Sequence, residues 1–271
     1  MRLLLHIFFI LACLPAVQLR AADSLRLIRS IPMEARLMNV DDLGNVYVVR
    51  SNNSLVKFTE TGDSSTFYRS VLNGDIGSVD VTNPLRVVVY YPSYAKVILL
   101  DRMLAPKNEL DLKKINIVPN ASVALSADGN LWVYDKFNAR LLKIDENLQP
   151  VGQSNDLRQQ LAEVPEPSYM VERERKLYLC DTANGIYTFD QYGTYINTLT
   201  LFGVEQLQVY GTQLVYRHAG TLHSYDLRKT SANQLLLPPR SARVLSAAIN
   251  RHVLYVLYEN ELVLYKMPDG Q

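Results

Sequence analysis

The chain has 271 residues, 48% hydrophobic, 20% charged and 9% aromatic, enough for a sizeable core and too little charge for a disordered chain. A formal charge of +1 gives no electrostatic case for binding nucleic acid, and two cysteines exclude a disulfide-built scaffold and a multi-cysteine zinc site. The 17 tyrosines, against 7 phenylalanines and 1 tryptophan, lean towards β structure, because tyrosine suits a pleated, half-buried surface.

Residues 1–22 read MRLLLHIFFILACLPAVQLRAA. Arg2 precedes an apolar run from Leu3 to Ala12, broken by His6, and small residues follow at Ala16, Ala21 and Ala22. That is the layout of a secretory signal peptide, and the run is shorter than the ~20 residues a spanning helix needs. Ile10-Leu11-Ala12-Cys13 resembles the lipobox of bacterial lipoproteins, which makes Cys13 a candidate for lipidation; cleavage near Ala21 or Ala22 is the alternative. Either route leaves Cys180, in an alternating strand pattern, as a buried and inert thiol. Export without disulfides fits a bacterial envelope protein, in the periplasm, or membrane-anchored if Cys13 is lipidated, with no transmembrane span in the mature chain.

From residue 23 onward the hydrophobic period is two. A leading strand is predicted over 25–31, and six similar units follow. Each opens on turn chemistry such as Asp42-Leu-Gly44-Asn45 or Asp128-Gly129-Asn130. Each continues into a β-rich run, at 45–49, 86–90, 131–134, 177–180, 213–216 and 253–257. A polar loop then leads to a second run, at 54–58, 96–100, 140–144, 185–189, 221–225 and 261–265. Five second runs soon meet an acid: Glu60, Asp101, Asp145, Asp190 and Asp226. The turns at 44, 84, 129, 175, 211 and 251 are 40, 45, 46, 36 and 40 residues apart, close to the ~40–50 residue period of propeller blades. The expected fold is all-β, a six-bladed β-propeller of four-stranded blades over 23–271. Residues 25–31 pair with 261–267, which completes the last blade and closes the ring.

Two of the units carry a more specific pattern. Residues 128–145, DGNLWVYDKFNARLLKID, and 177–190, LYLCDTANGIYTFD, resemble NHL repeats: a strand, Asp-x-x-Asn, then a second strand ending in an acid. Asp135 with Asn138 and Asp181 with Asn184 carry the match, and the other four units keep only the hydrophobic skeleton. The resemblance implies a six-bladed propeller and no particular activity. It also implies that loops between second and third strands share one face with the blade connectors, and that ligands bind there.

Those loops supply the candidate binding set: Arg50, Asn53, Tyr91, Tyr94, Asp135, Phe137, Asn138, Asp181, Asn184, Arg217, His218 and Glu259. The Asp-x-x-Asn pairs read first as turn-stabilising groups. The mixture of Tyr, Phe, Arg and Asn suits recognition of a protein or glycan. No nucleophile motif, phosphate loop or paired-carboxylate signature occurs, and His218, His223 and His252 lack metal-ligand spacing, so no catalytic residue, metal or cofactor is assigned. Residues 150–167 are predicted to hold a short helix over 156–163, capped by Ser154 or Asn155 and stopped by Pro165, with Leu157 and Leu161 on its apolar edge.

The leading functional reading is an exported, monomeric, non-enzymatic binding or scaffold propeller of the bacterial envelope. The rival is a metal-dependent lactonase or esterase, because six-bladed propellers of the gluconolactonase kind resemble this architecture. Its cation would sit at the channel mouth near Glu34, Asp75, Asn120 and Glu205. Mass spectrometry of the mature N-terminus tests export: residues 1–22 should be missing, or the chain should start at an acylated Cys13. An intact Met1 on a cytosolic protein refutes the leader.

Overall fold

The structure, a computed structural model, describes residues 25–268 except 236 and 239. The leader and Cys13 lie outside the described residues. Twenty-four strands form six antiparallel four-stranded sheets. The inner strands are Ala35–Val40, Ser78–Asp80, Ser122–Leu125, Tyr169–Arg173, Gln206–Tyr210 and Val244–Asn250, for blades 1 to 6. The second strands are Val46–Arg50, Arg86–Tyr91, Leu131–Asp135, Lys176–Asp181, Gln213–His218 and Val253–Tyr258. The third are Ser54–Phe58, Lys96–Asp101, Arg140–Ile144, Gly185–Asp190, Thr221–Asp226 and Glu261–Lys266. Blades 1 to 5 take their outer strand from the residues that follow. Blade 6 takes Arg26–Pro32 from the other end of the chain, in the register Arg26↔Lys266 to Pro32↔Glu261. The predicted ring closure is therefore the observed one.

Alternation along the second strands builds the ring. In Leu131–Asp135, Leu131 and Val133 enter the core shared with blade 2, while Trp132 and Tyr134 enter the core shared with blade 4. In Val46–Arg50, Val46 and Val48 face blade 6, and Tyr47 and Val49 face blade 2. Six hydrophobic clusters result, one at each junction between neighbouring blades. Both faces of a blade are thus buried, which is why these strands read as nearly unbroken apolar runs. Trp132, Tyr134 and Tyr178 are among the largest fully buried side chains, and cutting one to Ala costs about 3–5 kcal/mol by the usual large-to-small scale.

The acid after the third strand caps the turn into the outer strand. Asp101 accepts from the backbone of Met103 and Ala105, Asp145 from Asn147 and Gln149, Asp190 from Tyr192 and Thr194. Asp226 accepts from Arg228 and Lys229. Blade 1 uses a hydroxyl instead: Thr59 Oγ1 accepts from the Asp63 N–H.

Two lysines pin one blade to the next. Lys57 crosses the face of Tyr47 at 5.3 Å and donates to Arg102 O of blade 2. Lys143 lies 4.7 Å over Trp132 and donates to Gln191 O of blade 4. In each case the lysine on the third strand pairs in register with the aromatic on the second, a cation–π arrangement in a nearly dry setting.

The connector from blade 3 to blade 4 departs from expectation. A single 3-10 turn, Leu157–Gln159, replaces the helix predicted over 156–163, and Asp156 caps it by accepting from the Arg158 N–H at 3.0 Å. Ser154 is not free to cap, because its Oγ accepts from Leu141 N–H and donates to Asn155 O. Leu157 and Leu161 pack into the core of blades 3 and 4, so the segment lies on the propeller as rim packing.

Deleting residues 23–31 removes the outer strand of blade 6 and uncovers the edge of Glu261–Lys266. The thermal midpoint should fall by about 10 °C, taking about 2–4 °C per kcal/mol for a domain of this size. An unchanged midpoint in scanning calorimetry would count against the closure.

Candidate functional site

Every blade presents its second-to-third loop and its incoming connector on one face. In blades 2, 3 and 4 that loop is hydrogen-bonded to the connector leaving the blade, Leu112 N–H to Ala95 O, Leu157 N–H to Ala139 O and Gly203 N–H to Thr182 O; in blade 6 it is bonded to the incoming one, Glu259 N–H to Arg243 O. This is the loop face. The opposite turn face carries the tight turns of each hairpin.

The predicted binding residues fall into three groups on this geometry. Tyr91 does not reach the surface; it is fully buried between blades 1 and 2, with its hydroxyl on Tyr68 Oη. Its position ends an alternating strand, so the inward phase of that strand carries it into the core. Asp135, Asp181 and Asn53 are engaged in local structure. Asp135 is buried and accepts from Asn138 N–H, Asn138 Nδ2 and Arg140 Nε. Asp181 accepts from the backbone of Glu166, Ala183 and Asn184 and from Asn184 Nδ2. Burial pushes its carboxyl up, but these donors outweigh burial and hold it below the ordinary range. Asn53 bridges its loop to the next connector through Ile76 N–H, Gly74 O and Arg36.

The rest lie at or near the surface. Phe137 is 76% exposed, Tyr94 46%, and Arg50 is half-buried with no side-chain hydrogen bond among the described residues. Arg217 pairs with Glu205 and Glu259 with Arg243. His218 is exposed, faces Gly203 O at 3.2 Å, and meets the His223 ring edge-on at 6.0 Å.

The channel supplies what the sequence reading missed. A cavity of about 230 Å³ opens on the loop face, bounded by blades 2, 3 and 4. Its wall mixes small and polar groups, among them Ser78, Asn120, Ser122, Ser168 and Asp80, with apolar ones such as Val79, Val123 and Met170. A Cβ on Gly77 would sit 2.5 Å from the Pro92 ring, so glycine is required to leave the rim open. Tyr90 is buried, and its hydroxyl, facing the Ala121 backbone, makes no well-formed hydrogen bond. Burial pushes that phenol up to about 12. Asp80 accepts from Thr82 N–H and from Leu125 N–H of blade 3, each at 2.8 Å. It borders the cavity and so keeps some accessible surface, yet it lies deep in the ring, and burial raises its carboxyl above the ordinary range despite those two donors. No motif marked Asp80, because a single acid ending a three-residue strand reads as a turn.

Elsewhere the channel is closely bridged. Gln206 of blade 5 donates to Met38 O and Asn39 Oδ1 of blade 1, and Ser246 of blade 6 donates to Gln206 Oε1. At the turn face, Arg173 of blade 4 holds Asp42 of blade 1 through both guanidinium nitrogens, at 2.8 and 3.1 Å. The larger free volume in the channel is therefore a cup reached from the loop face, with a narrow recess beneath it beside Asn39, Arg173 and Gln208.

Solved structures of similar fold can now be set beside the chain. The WD40 domain of Pan2 from Neurospora crassa superposes with a TM-score of 0.60 at 12% identity, covering 92% of this chain and 98% of that one. Virginiamycin B lyase from Staphylococcus aureus gives 0.58 at 11%, covering 90% and 100%. A streptogramin B lyase gives 0.56 at 12%, covering 85% and 78%. The chain is a six-bladed β-propeller. At such identities the likeness shows the fold alone. No protein-family model matches the chain, and no curated protein matches it.

The ligand set of the lactonase reading is not assembled. Among the described residues no three His, Cys, Asp or Glu side chains gather closely enough to hold a metal ion. Glu34, Asp75 and Asn120 are exposed, and Glu205 is paired with Arg217.

Because its value in the fold is raised, Asp80 contributes most below the ordinary carboxylate pKa near 4. That contribution is lost as pH rises through the folded value. Carbon NMR of the Asp80 carboxyl should give a midpoint above the ordinary value; a midpoint at or below it contradicts the described burial.

Proposed function

We propose that this chain is an exported, non-enzymatic binding propeller of the bacterial cell envelope, NHL-like in its third and fourth blades, which holds a partner protein on its loop face. The observation that carries this reading is the cup at the channel mouth, on the face whose loops expose Tyr94, Phe137 and Phe202. Large apolar side chains are also exposed on the turn face, at Leu43, Leu85 and Met103. The loop face differs because the central channel opens there as a cup shared by three blades, and a few aromatic anchors on such a face can dominate an interface. The leader-like segment supports export, and exposed ionic pairs such as Glu259–Arg243 supply a polar periphery.

The test is photo-crosslinking in envelope extracts. Replacing Tyr94, Phe137 and Phe202 together by Ala should reduce the crosslinked partner at least tenfold, because each anchor contributes on the order of 1–2 kcal/mol. Replacing Leu85 and Lys176 on the turn face should leave it unchanged. The reverse pattern would move the functional face, and retention on an immobilised glycan with no crosslinked protein would replace the protein partner by a carbohydrate.

A further inference from the structure

A second concavity, of about 360 Å³, lies on the turn face between blades 3 and 4. It is independent of the loop-face cup. Its floor is made of charged and aromatic groups that are almost wholly buried: Trp132, Lys143 and Glu172. Its open rim pairs two apolar groups, Tyr192 72% exposed and Val151 52%, with the polar Asp128, Asn130 and Gln191.

The charges do not balance. Lys143, the cation of the lining, is engaged by Asp128 at 2.8 Å, by Gln191 O, and by the face of Trp132. Glu172 is only 5% exposed. Its carboxylate accepts from Ala127 N–H at 3.0 Å and from Trp132 Nε1 at 2.6 Å. Both donors are neutral, and among the described residues no cation stands within ion-pair distance of it. These bonds explain how Glu172 ties blade 4 to blade 3, but they leave its charge uncompensated, an unfavourable state for a buried carboxylate. Each of its oxygens keeps a second lone pair. A further group is unsatisfied on the same wall: Ser126 is buried, and its Oγ, beside the Asp128 carboxylate, makes no well-formed hydrogen bond.

We propose that this pocket binds a primary ammonium carried on an apolar stem, the ammonium meeting Glu172 and Ser126 and the stem lying between Tyr192 and Val151. The chemistry is that of an alkylamine, free or as the side chain of a lysine in a partner. A cation restores the missing charge, its N–H donors use the spare lone pairs, and Tyr192 adds an aromatic wall that favours cations. An anion would meet two carboxylates.

The chain's single tryptophan is Trp132, so its indole N–H resonance and its fluorescence report on this pocket alone. The full mature chain is titrated with n-pentylamine, with n-pentanol and pentanoate as isosteres, and with the blocked tripeptide acetyl-Gly-Lys-Gly-amide. A saturable shift of the indole resonance with the amine, and none with the alcohol or the acid at the same concentrations, is expected. Tighter binding of the tripeptide than of pentylamine assigns a lysyl side chain; the opposite order assigns a free amine. Glu172→Gln keeps an acceptor for Trp132 and should weaken amine binding at least tenfold. Tyr192→Ala, at an exposed position outside the blade cores, should weaken it several-fold and covers the case in which Glu172→Gln does not fold. Equal responses to amine, alcohol and acid, no response to either amine probe, or full affinity in Tyr192→Ala would overturn the proposal.

Discussion

Each blade pairs its innermost strand on one side only, so six free strand edges converge on one channel. Their N–H and C=O groups must find partners in a space that excludes bulk water. The ring meets this constraint with side chains reaching from one blade to the next. Asn39 donates to Val79 O, Asp80 accepts from Leu125 N–H, Ser122 donates to Pro167 O, and Asn250 donates to Asp41 O. Gln208 matches Ile249 twice, accepting from its N–H and donating to its C=O. Among the described residues, such ties occur at every junction except that between blades 4 and 5. The hydrophobic clusters between blades set how the sheets stack; these polar ties close the inner face that stacking leaves open.

The same constraint decides where space remains. Where Gln206 of blade 5 meets Asn39 of blade 1 and Ser246 of blade 6, the side chains bridge the channel. Where the inner strands carry Ser78 and Ser122, with Ala121 and Ser168 just ahead of such strands, the side chains are short and a cup is left. The candidate site thus follows from side-chain length on three inner strands. Asp80 sits at the boundary, tied by two N–H groups and facing the cup.

The second and third strands were legible in the sequence because both faces of each are buried, which leaves long apolar runs bounded by turn chemistry. The runs at 54–58 and 140–144 reappear with those bounds as Ser54–Phe58 and Arg140–Ile144. Inner and outer strands were less visible. An inner strand such as Gln206–Tyr210 mixes amides with apolar residues, because its polar side chains serve the neighbouring blade. An outer strand such as Ser231–Leu235 is nearly all exposed and has no burial pattern to read. The acids were ambiguous for the same reason. Asp145 and Asp190 cap turns close to home, whereas Glu172 and Asp80 act across blade junctions, at separations of 40 and 45 residues that no local motif records.

Two contacts follow neither the sheet pairing nor the neighbour-to-neighbour packing: Gln206 reaches past blade 6 to blade 1, and a second spans the whole ring. Arg173 and Asp42 join blades 4 and 1, which stand opposite each other in a ring of six. Nearest-neighbour contacts let a ring flex as a chain of hinges, each seam opening a little while its opposite seam closes. A strut across the diameter opposes that independence: ovalising the ring along that axis stretches the Arg173–Asp42 pair. Asp42 is more than half exposed at its end of the strut, so dissolved ions screen the attraction and this one cross-ring tie loosens as salt rises.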